Sequence, residues 1–233
     1  MTDPITGLIF YVVFLFSTTL HEAAHAFVAK LGGDPTAYHG GQVTLDPRPH
    51  IKREPFGMVI LPLLGIVATG LPIGFASAPY NPQWALRYPN RAAWMALAGP
   101  ASNVVLMLLS FIAIRAGAAA GVFEGPPTVR FGEVVFSAAG GVWTGLGLVL
   151  GILFCENLLL ATFNLLPLPP LDGSGVVPLF LSPAVAARYQ QTIMGNPALT
   201  IVGMLVAWQV FGKLFQPLFL IAVNLLYPGQ GYH

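Results

Sequence analysis

The chain has 233 residues, of which 55% are hydrophobic and only 8% are charged, and its mean hydropathy is +0.73. Soluble domains carry about 25% charged residues, so this composition excludes an ordinary soluble protein and predicts an integral membrane protein in contact with the lipid bilayer. The net charge of +1 gives no electrostatic basis for binding nucleic acid. Cys155 is the only cysteine, which excludes an internal disulfide and a multi-cysteine metal site.

The first predicted element is a long apolar helix over Ile5–Lys30. Asp3 and Pro4 are suitable as its N-cap and first helical residue, and the pair Gly32-Gly33 can end it. At 1.5 Å per residue this helix is ~39 Å long, which is enough to span a bilayer with some tilt. Further along the chain, apolar stretches predict three more spanning helices, roughly Ala92–Arg115, Val142–Pro167 and Leu199–Tyr227.

Two segments between the first and second spanning helices are unusual. The polar stretch Leu31–Phe56 is rich in glycine, proline and charge, and within it Gln42–Leu45 alternates like a short strand. Met58–Ala78 is apolar but carries several glycines and prolines. Backbone of this kind is tolerated at membrane depth only where it packs against protein or lines a cavity.

Basic residues indicate whether Met58–Ala78 crosses the membrane. If it crosses, they are divided more evenly between the two sides. If it enters and returns on one side, Arg115 and Arg130 lie opposite seven others, which are Lys30, Arg48, Lys52, Arg53, Arg87, Arg91 and Arg188. Lys213 lies inside the last predicted span in either arrangement. The cytoplasmic excess of basic residues in membrane proteins favours the second arrangement. We therefore predict an all-α polytopic membrane protein with four spanning helices, a re-entrant segment over Met58–Ala78, both termini outside the cytoplasm, and one membrane-embedded domain over residues 1–233.

The first spanning helix contains the pattern H-E-x-x-H at His21, Glu22 and His25. Two imidazoles at i and i+4 lie one turn apart on one face, where both can bind a single zinc ion, and the intervening Glu22 can act as general base toward a water. The alternative is two histidines packed in a helix bundle. Two imidazoles and a carboxylate within one buried turn would then need several polar partners, so the metal site is the stronger interpretation.

A third ligand is required, because a catalytic zinc usually takes three protein ligands and keeps a fourth position for water. Asp172 is the candidate, since the run Pro167–Pro170 stops the preceding helix and holds this carboxylate near a membrane boundary. Spacing alone is almost equally consistent with Asp172 as the N-cap of a helix over Gly173–Leu181. A shared site with the histidines also requires the first helix and the helix before Asp172 to end on the same side, which needs Met58–Ala78 not to cross.

Two other polar residues lie within predicted spans. Glu156 is a functional candidate because intramembrane carboxylates are costly, although a hydrogen-bonded structural glutamate is an equal alternative. Asn103 follows Gly99-Pro100, which would kink a closely packed helix, and its amide could bond a neighbouring backbone carbonyl.

Three motifs together resemble those of the site-2 protease family of intramembrane zinc metalloproteases, in the short form without PDZ or CBS domains. They are His21–His25, Ala98–Asn103 and Asn164–Gly173, and they occur in the family's order. The resemblance implies hydrolysis of peptide bonds in transmembrane protein substrates, near the cytoplasmic side of a prokaryotic cell membrane. It implies one zinc ion held by His21, His25 and Asp172, with Glu22 as catalytic base.

The same resemblance assigns roles to two further segments. Asn164 matches a residue expected to bind substrate or stabilise the oxyanion, and Gly40–Pro47 corresponds to a membrane-associated β element that holds substrate as an added strand. Two other functions stay open from the residues alone. A divalent-metal transporter could use the same His and Asp ligands, and an inactive scaffold could bind transmembrane helices without hydrolysis.

Overall fold

The computed structural model describes residues 3–194 and 196–233, which are mostly helical. Ten α-helices lie in this part of the chain, and they are, in order, α1 (Pro4–Leu31), α2 (Thr36–His39), α3 (Pro47–Arg53), α4 (Leu61–Thr69), α5 (Pro82–Arg87), α6 (Pro89–Ala119), α7 (Val142–Asn164), α8 (Asp172–Val176), α9 (Pro183–Met194) and α10 (Pro197–Leu226). A π-helical turn over Phe56–Ile60 leads into α4, and a 3₁₀ turn over Val177–Phe180 follows α8.

Helices α1, α6, α7 and α10 are long and apolar enough to span a membrane, which confirms the four predicted spans. The cap of α1 is also as predicted, because the Asp3 carboxylate accepts hydrogen bonds from the backbone N–H groups of Ile5 and Thr6. Helix α7 ends at Asn164 rather than at Pro167, since a residue before proline disfavours the helical conformation.

Helices α1 and α6 pack against each other in opposite directions. His25, near the end of α1, contacts Met95 near the start of α6, whereas His21 contacts Asn103 two turns further along α6. Helix α7 runs in the same direction as α1, because Ser17 contacts Asn157 within α7 and His21 contacts a residue just beyond the C-terminal end of α7. The C-terminal ends of α1 and α7 therefore lie at the same end of the bundle.

The opposite end of the bundle holds the largest apolar core. Arg115 donates a hydrogen bond to the Leu226 carbonyl at 2.8 Å, which joins the C-terminal ends of α6 and α10. Beneath this contact the loop after α6 packs on α7 and α10. The buried residues of this core are Ile114, Val134, Phe154, Cys155, Val223, Leu226 and Tyr227.

The stretch between α1 and α6 leaves and returns at one end of the bundle. The Gly32 carbonyl accepts hydrogen bonds from the Trp84 indole at 3.1 Å and from the Arg91 guanidinium at 3.2 Å. The chain therefore comes back to its starting point after more than fifty residues. Buried Trp84 packs in a small apolar cluster that closes this junction.

Met58–Ala78 forms a hairpin within that stretch. Its first arm is helical and ends at Gly70, whose φ of +83° reverses the chain without a clash from a side chain. Its second arm, Leu71–Ala78, is not helical and runs back beside the first. The Phe75 N–H donates a hydrogen bond to the Gly57 carbonyl at 3.1 Å. The end of the second arm therefore lies beside the start of the first.

The predicted β element over Gly40–Pro47 is not confirmed. Within the described residues this stretch consists of a turn and bends, and β-type pairing is limited to the isolated bridges Glu124–Phe136 and Arg130–Glu133. The Gln42 N–H donates to the Ala37 carbonyl, and the Thr44 carbonyl accepts from the His50 ring. Because of these local bonds, the Gln42 N–H and the Thr44 carbonyl are not available to pair with another strand. A strand without a neighbouring strand also lacks the hydrogen-bond ladder that would stabilise it.

Candidate metal centre

Helix α1 presents the H-E-x-x-H residues to the interior of the bundle. His21, Glu22 and His25 are all buried. The Nε2 atoms of the two imidazoles are 3.0 Å apart, as expected for side chains one helical turn apart on one face. The helix therefore supplies two nitrogen ligands to a single point.

Asp172 joins the two histidines from a different part of the chain. Its Oδ2 atom lies 3.0 Å from Nε2 of His21 and 3.3 Å from Nε2 of His25. The alternative that Asp172 is the N-cap of the following helix is wrong, because Leu171 occupies the N-cap position of α8 and Asp172 is the first residue of that helix, with its carboxylate turned to the imidazoles. The predicted third ligand thus meets the first two.

Hydrogen bonds orient both imidazoles toward this point. Nδ1 of His25 donates to the Met95 carbonyl at 2.7 Å, and Nδ1 of His21 donates to the Asn103 side-chain oxygen at 2.6 Å. Each ring therefore carries its proton on Nδ1 and points the lone pair of Nε2 toward Asp172.

Two nitrogen lone pairs and a carboxylate oxygen that converge in this way repel one another unless a cation lies among them. The three separations of 3.0–3.3 Å are close to the edge of about 3.3 Å expected between ligands of a tetrahedral zinc ion. The donor set therefore fits zinc with one position left for water.

A chain of buried amides continues from His21 into the bundle. Asn103 accepts from His21 and donates through Nδ2 to Oδ1 of Asn157 at 2.8 Å. Asn157 in turn donates through Nδ2 to Ser17 Oγ at 2.9 Å and to the Leu153 carbonyl at 2.8 Å. Asn103 therefore bonds side chains rather than the backbone carbonyl considered from the sequence, and the network joins α1, α6 and α7 behind one ligand.

Gly99 allows α6 to approach the ligands. A Cβ atom at this position would overlap the imidazole rings of both His21 and His25. Gly99 and Asn103 are four residues apart on α6, so one helix face supplies both the close approach and the hydrogen bond. The motif Ala98–Asn103 thus acts on the metal centre directly.

Glu22 and Asn164 border the same cavity as the three ligands. This cavity has a volume of about 1170 Å³ and is lined mainly by apolar side chains from α1, the hairpin, α6, α7, α9 and α10. Glu22 borders it together with all three ligands. Asn164, the last residue of α7, donates one hydrogen bond to the Leu160 carbonyl at 3.0 Å, which leaves its second N–H available.

Sequence reasoning missed the supporting residues Asn157, Ser17 and Met95. Nothing in their local sequence indicates a contact with residues more than fifty positions away. Gly99 did carry a signal, since a glycine before a proline within an apolar helix marks close packing, but its partner was not predictable.

Comparison with known proteins agrees with this site. The chain matches the model of peptidase family M50 over residues 9–208. It is 30% identical over 225 residues to YwhC of Bacillus subtilis, named a zinc metalloprotease, with 89% of this chain and 92% of that protein aligned. It is 34% identical over 169 residues to Rip2 of Mycolicibacterium smegmatis, also named a zinc metalloprotease, with 72% of this chain and 56% of that protein aligned.

No solved structure matches the chain significantly. The family match runs from α1 into α10, and it includes the two histidines of α1 and the aspartate that begins α8. The chain therefore belongs to peptidase family M50, the site-2 protease family of metalloendopeptidases.

Proposed function

We propose that this protein is an intramembrane zinc metalloprotease that hydrolyses peptide bonds of transmembrane protein substrates. The observation that carries the proposal is the convergence of His21, His25 and Asp172 beside Glu22, within four helices able to span a membrane. The first and the last of these helices, α1 and α10, both border the cavity that contains the ligands. This shared cavity supports a single membrane-embedded domain over residues 1–233.

The chemistry follows from the residues around the cavity. Zinc, when bound, supplies a Lewis acid and lowers the pKa of a water. Glu22 accepts a proton from the attacking water and returns it to the leaving amide nitrogen, which is the work of a general acid–base residue. Asn164 has a free N–H that can donate to the substrate carbonyl as negative charge develops on its oxygen.

The second arm of the hairpin is suited to hold an extended substrate. Leu71–Ala78 borders the cavity, and the N–H groups of Ile73, Ala76 and Ala78 have no hydrogen-bond partner among the described residues. A substrate helix must unwind before its peptide bonds can be attacked, because those bonds are internally paired. Pairing with an open backbone edge stabilises the unwound segment, and this role replaces the one expected for Gly40–Pro47.

The proposed topology places the metal centre near the cytoplasmic side of a prokaryotic cell membrane. The stretch between α1 and α6 starts and ends at one end of the bundle, where Gly32 contacts Trp84 and Arg91. This supports a re-entrant rather than spanning hairpin. The same end carries most of the basic residues, which favours the cytoplasm, and the relatives YwhC and Rip2 are bacterial proteins.

The test is cleavage of a transmembrane peptide by the purified protein in proteoliposomes. The Glu22→Gln variant is expected to bind zinc as wild type does and to lose hydrolysis by about 10²–10⁴-fold. A protein that loads zinc but cleaves no peptide in a panel of transmembrane helices would contradict the proposal, as would full activity of Glu22→Gln.

Zinc flux across the same proteoliposomes separates the alternatives. A metal transporter would move zinc into the vesicles and would keep metal binding with Gln at position 22. Binding of helical peptides without cleavage or flux would indicate a scaffold.

A further inference from the structure

Two buried polar groups beside the cavity are not used by the metal centre. Neither oxygen of the Glu156 carboxylate has a hydrogen-bond partner among the described residues, and the same holds for the Thr18 hydroxyl. Glu156 is 5% exposed and Thr18 is 7% exposed, and both residues border the cavity that holds the ligands. The carboxylate and the hydroxyl therefore lie just beneath the wall of the cavity.

These groups lie on the faces of α1 and α7 that line the cavity. On α1, Thr18 shares its face with Glu22 and His25, at spacings of four and seven residues. On α7, the side chains bordering the cavity also follow helical spacing, and they are Glu156, Leu159, Leu160, Phe163 and Asn164. Both residues thus lie on the same helix faces that present the catalytic machinery.

Their depth relative to the metal centre follows from one cross-helix contact. Asn157 bonds Ser17 at 2.9 Å, and the two helices run in the same direction. Thr18 therefore lies one residue to the C-terminal side of this contact and Glu156 one residue to its N-terminal side, which separates their levels by ~3 Å along the bundle. Thr18 precedes His21 by three residues, which is ~4.5 Å along the helix axis. Toward the N-terminal end of α1, the two unpaired groups therefore lie deeper than His21 by ~4.5 Å for Thr18 and ~7.5 Å for Glu156.

An unpaired carboxylate in this place destabilises the protein. Transfer of a polar group from water to an apolar environment costs free energy unless a hydrogen bond replaces the lost water, and a charge costs more. No ion pair among the described residues includes Glu156. Glu156 borders the cavity, so a donor that enters the cavity can supply the missing partner.

A nitrogen donor matches the chemistry of both groups. Each carboxylate oxygen accepts hydrogen bonds, and the Thr18 hydroxyl oxygen accepts one as well. A side-chain amide or ammonium group carries at least two N–H donors, so a single side chain can bond Glu156 and Thr18 together. An aliphatic side chain leaves both groups unpaired.

We propose that Glu156 and Thr18 form a subsite that receives an amide or ammonium side chain of the transmembrane substrate. This inference rests on the proposed function, and it adds a residue type and a place within the substrate. At ~3.3 Å per residue of extended chain, the donor side chain lies roughly one to three residues from the cleaved bond. It lies on the side that extends toward the N-terminal end of α1.

The experiment measures cleavage of a Leu/Ala transmembrane helix in which one Asn is moved through the positions around the cleaved bond, each compared with Leu at that position. Asn and Leu are close in size, so the comparison isolates the N–H donors. In wild type we expect Asn at the matching position to raise kcat/KM at least about tenfold over Leu, since a site built to hydrogen-bond a substrate group discriminates strongly against its absence.

The same pair of substrates is then given to variants of the subsite. With Glu156→Leu the Asn/Leu ratio is expected to fall to about one, and with Glu156→Gln, which keeps an acceptor oxygen, to an intermediate value. Thr18→Val, a substitution of nearly the same shape, is expected to lower the ratio by a smaller factor. Cleavage sites read by mass spectrometry show whether the register has moved.

A binding measurement keeps the inference separate from the proposed function. In the Glu22→Gln background, affinities of the two helices are compared with and without Glu156→Leu, which needs no hydrolysis. If wild type cleaves nothing but Asn-helix binding depends on Glu156, the function fails and the subsite stands. An Asn/Leu affinity ratio unchanged by Glu156→Leu in a folded protein overturns the subsite.

Melting of the substrate-free protein provides the readout against a purely structural role. The Tm of Glu156→Leu is expected to exceed that of wild type, because the variant removes an unpaired buried group. A lower Tm together with an unchanged Asn/Leu ratio would assign Glu156 to packing and would overturn the proposal.

Discussion

Asn157 and Glu156 are adjacent on α7, both buried and both polar, yet their surroundings differ completely. Every polar atom of the Asn157 amide is engaged, with Asn103, Ser17 and the Leu153 carbonyl as partners. Neither oxygen of Glu156 has a partner among the described residues. A polar group whose partners all lie within the protein fixes the site in place, whereas one without partners is free to bind what enters.

Among the changes to the metal centre and its hydrogen-bond network, which includes Asn157, removal of zinc is expected to have the largest effect. The network aims two nitrogen lone pairs and a carboxylate at one point, so chelation should abolish hydrolysis and leave those atoms repelling one another. At zinc 100-fold above its Kd, the bound ion stabilises the fold by about 2.7 kcal/mol. Thermal melting with and without chelator measures this loss, and Asp172→Asn, which lacks a ligand, should melt at nearly the same temperature in both conditions.

Gly99→Ala is expected to disturb the metal centre from helix α6, which packs against the two imidazoles. The new methyl group overlaps both imidazoles, so the rings must move, and a displacement of about 1 Å at a catalytic centre can cost ~10²-fold in rate. Cleavage rate and zinc affinity should both fall.

Gly145→Ala on α7 is the matched control, because apart from its chain neighbours and its own helix backbone no atom lies within 4 Å of a Cβ at that position. It should retain full activity. An active Gly99→Ala would show that the imidazoles tolerate displacement.

Asn103→Leu is expected to have an intermediate effect, because it removes one link of the network without entering the ligand sphere. His21 loses the acceptor that fixes its tautomer, and zinc affinity should fall by about 10–100-fold. Competition with a zinc chelator measures the affinity. Thr18→Val on the unpartnered side should leave zinc affinity unchanged, and an equal loss in both variants would remove the distinction between the two regions.

Ser17→Ala is expected to have the smallest effect. Asn157 Nδ2 also donates to the Leu153 carbonyl, so the amide nitrogen keeps one acceptor after the serine hydroxyl is removed. The free energy of unfolding should fall by about 1 kcal/mol or less, and zinc affinity should change less than with Asn103→Leu. Denaturant unfolding measures the first change and chelator competition the second. A loss of zinc affinity as large as that of Asn103→Leu would contradict the expectation that Ser17 matters less than Asn103 to the metal centre.

The metal centre is predictable from the sequence because its ligands are recognised by residue type and spacing. His21, Glu22 and His25 are one turn apart on one helix, and the helix spans follow from uninterrupted apolar stretches. Asp172 was identifiable from the proline run before it, although only the structure separates a ligand from an N-cap.

Other features of the molecule were not predictable from local sequence. The alternation at Gln42–Leu45 predicted a strand, but a strand depends on a neighbouring strand and none is present among the described residues. The sequence shows that Asn103 is a polar residue within a predicted span, but it does not identify His21 as its partner, because His21 is 82 residues away. Glu156 was recognised as costly, but its lack of a partner is a property of the packed bundle.

The hairpin at Met58–Ala78 has a consequence for how the protein is assembled during synthesis. Its helical arm is shorter than the ~20 residues that a bilayer span requires, and its flanks carry Arg53 and Glu54 on one side and Tyr80 and Asn81 on the other. On the proposed topology none of these flanking groups crosses the membrane. The hairpin can therefore enter the bilayer from the cytoplasmic side without carrying a charged flank across it.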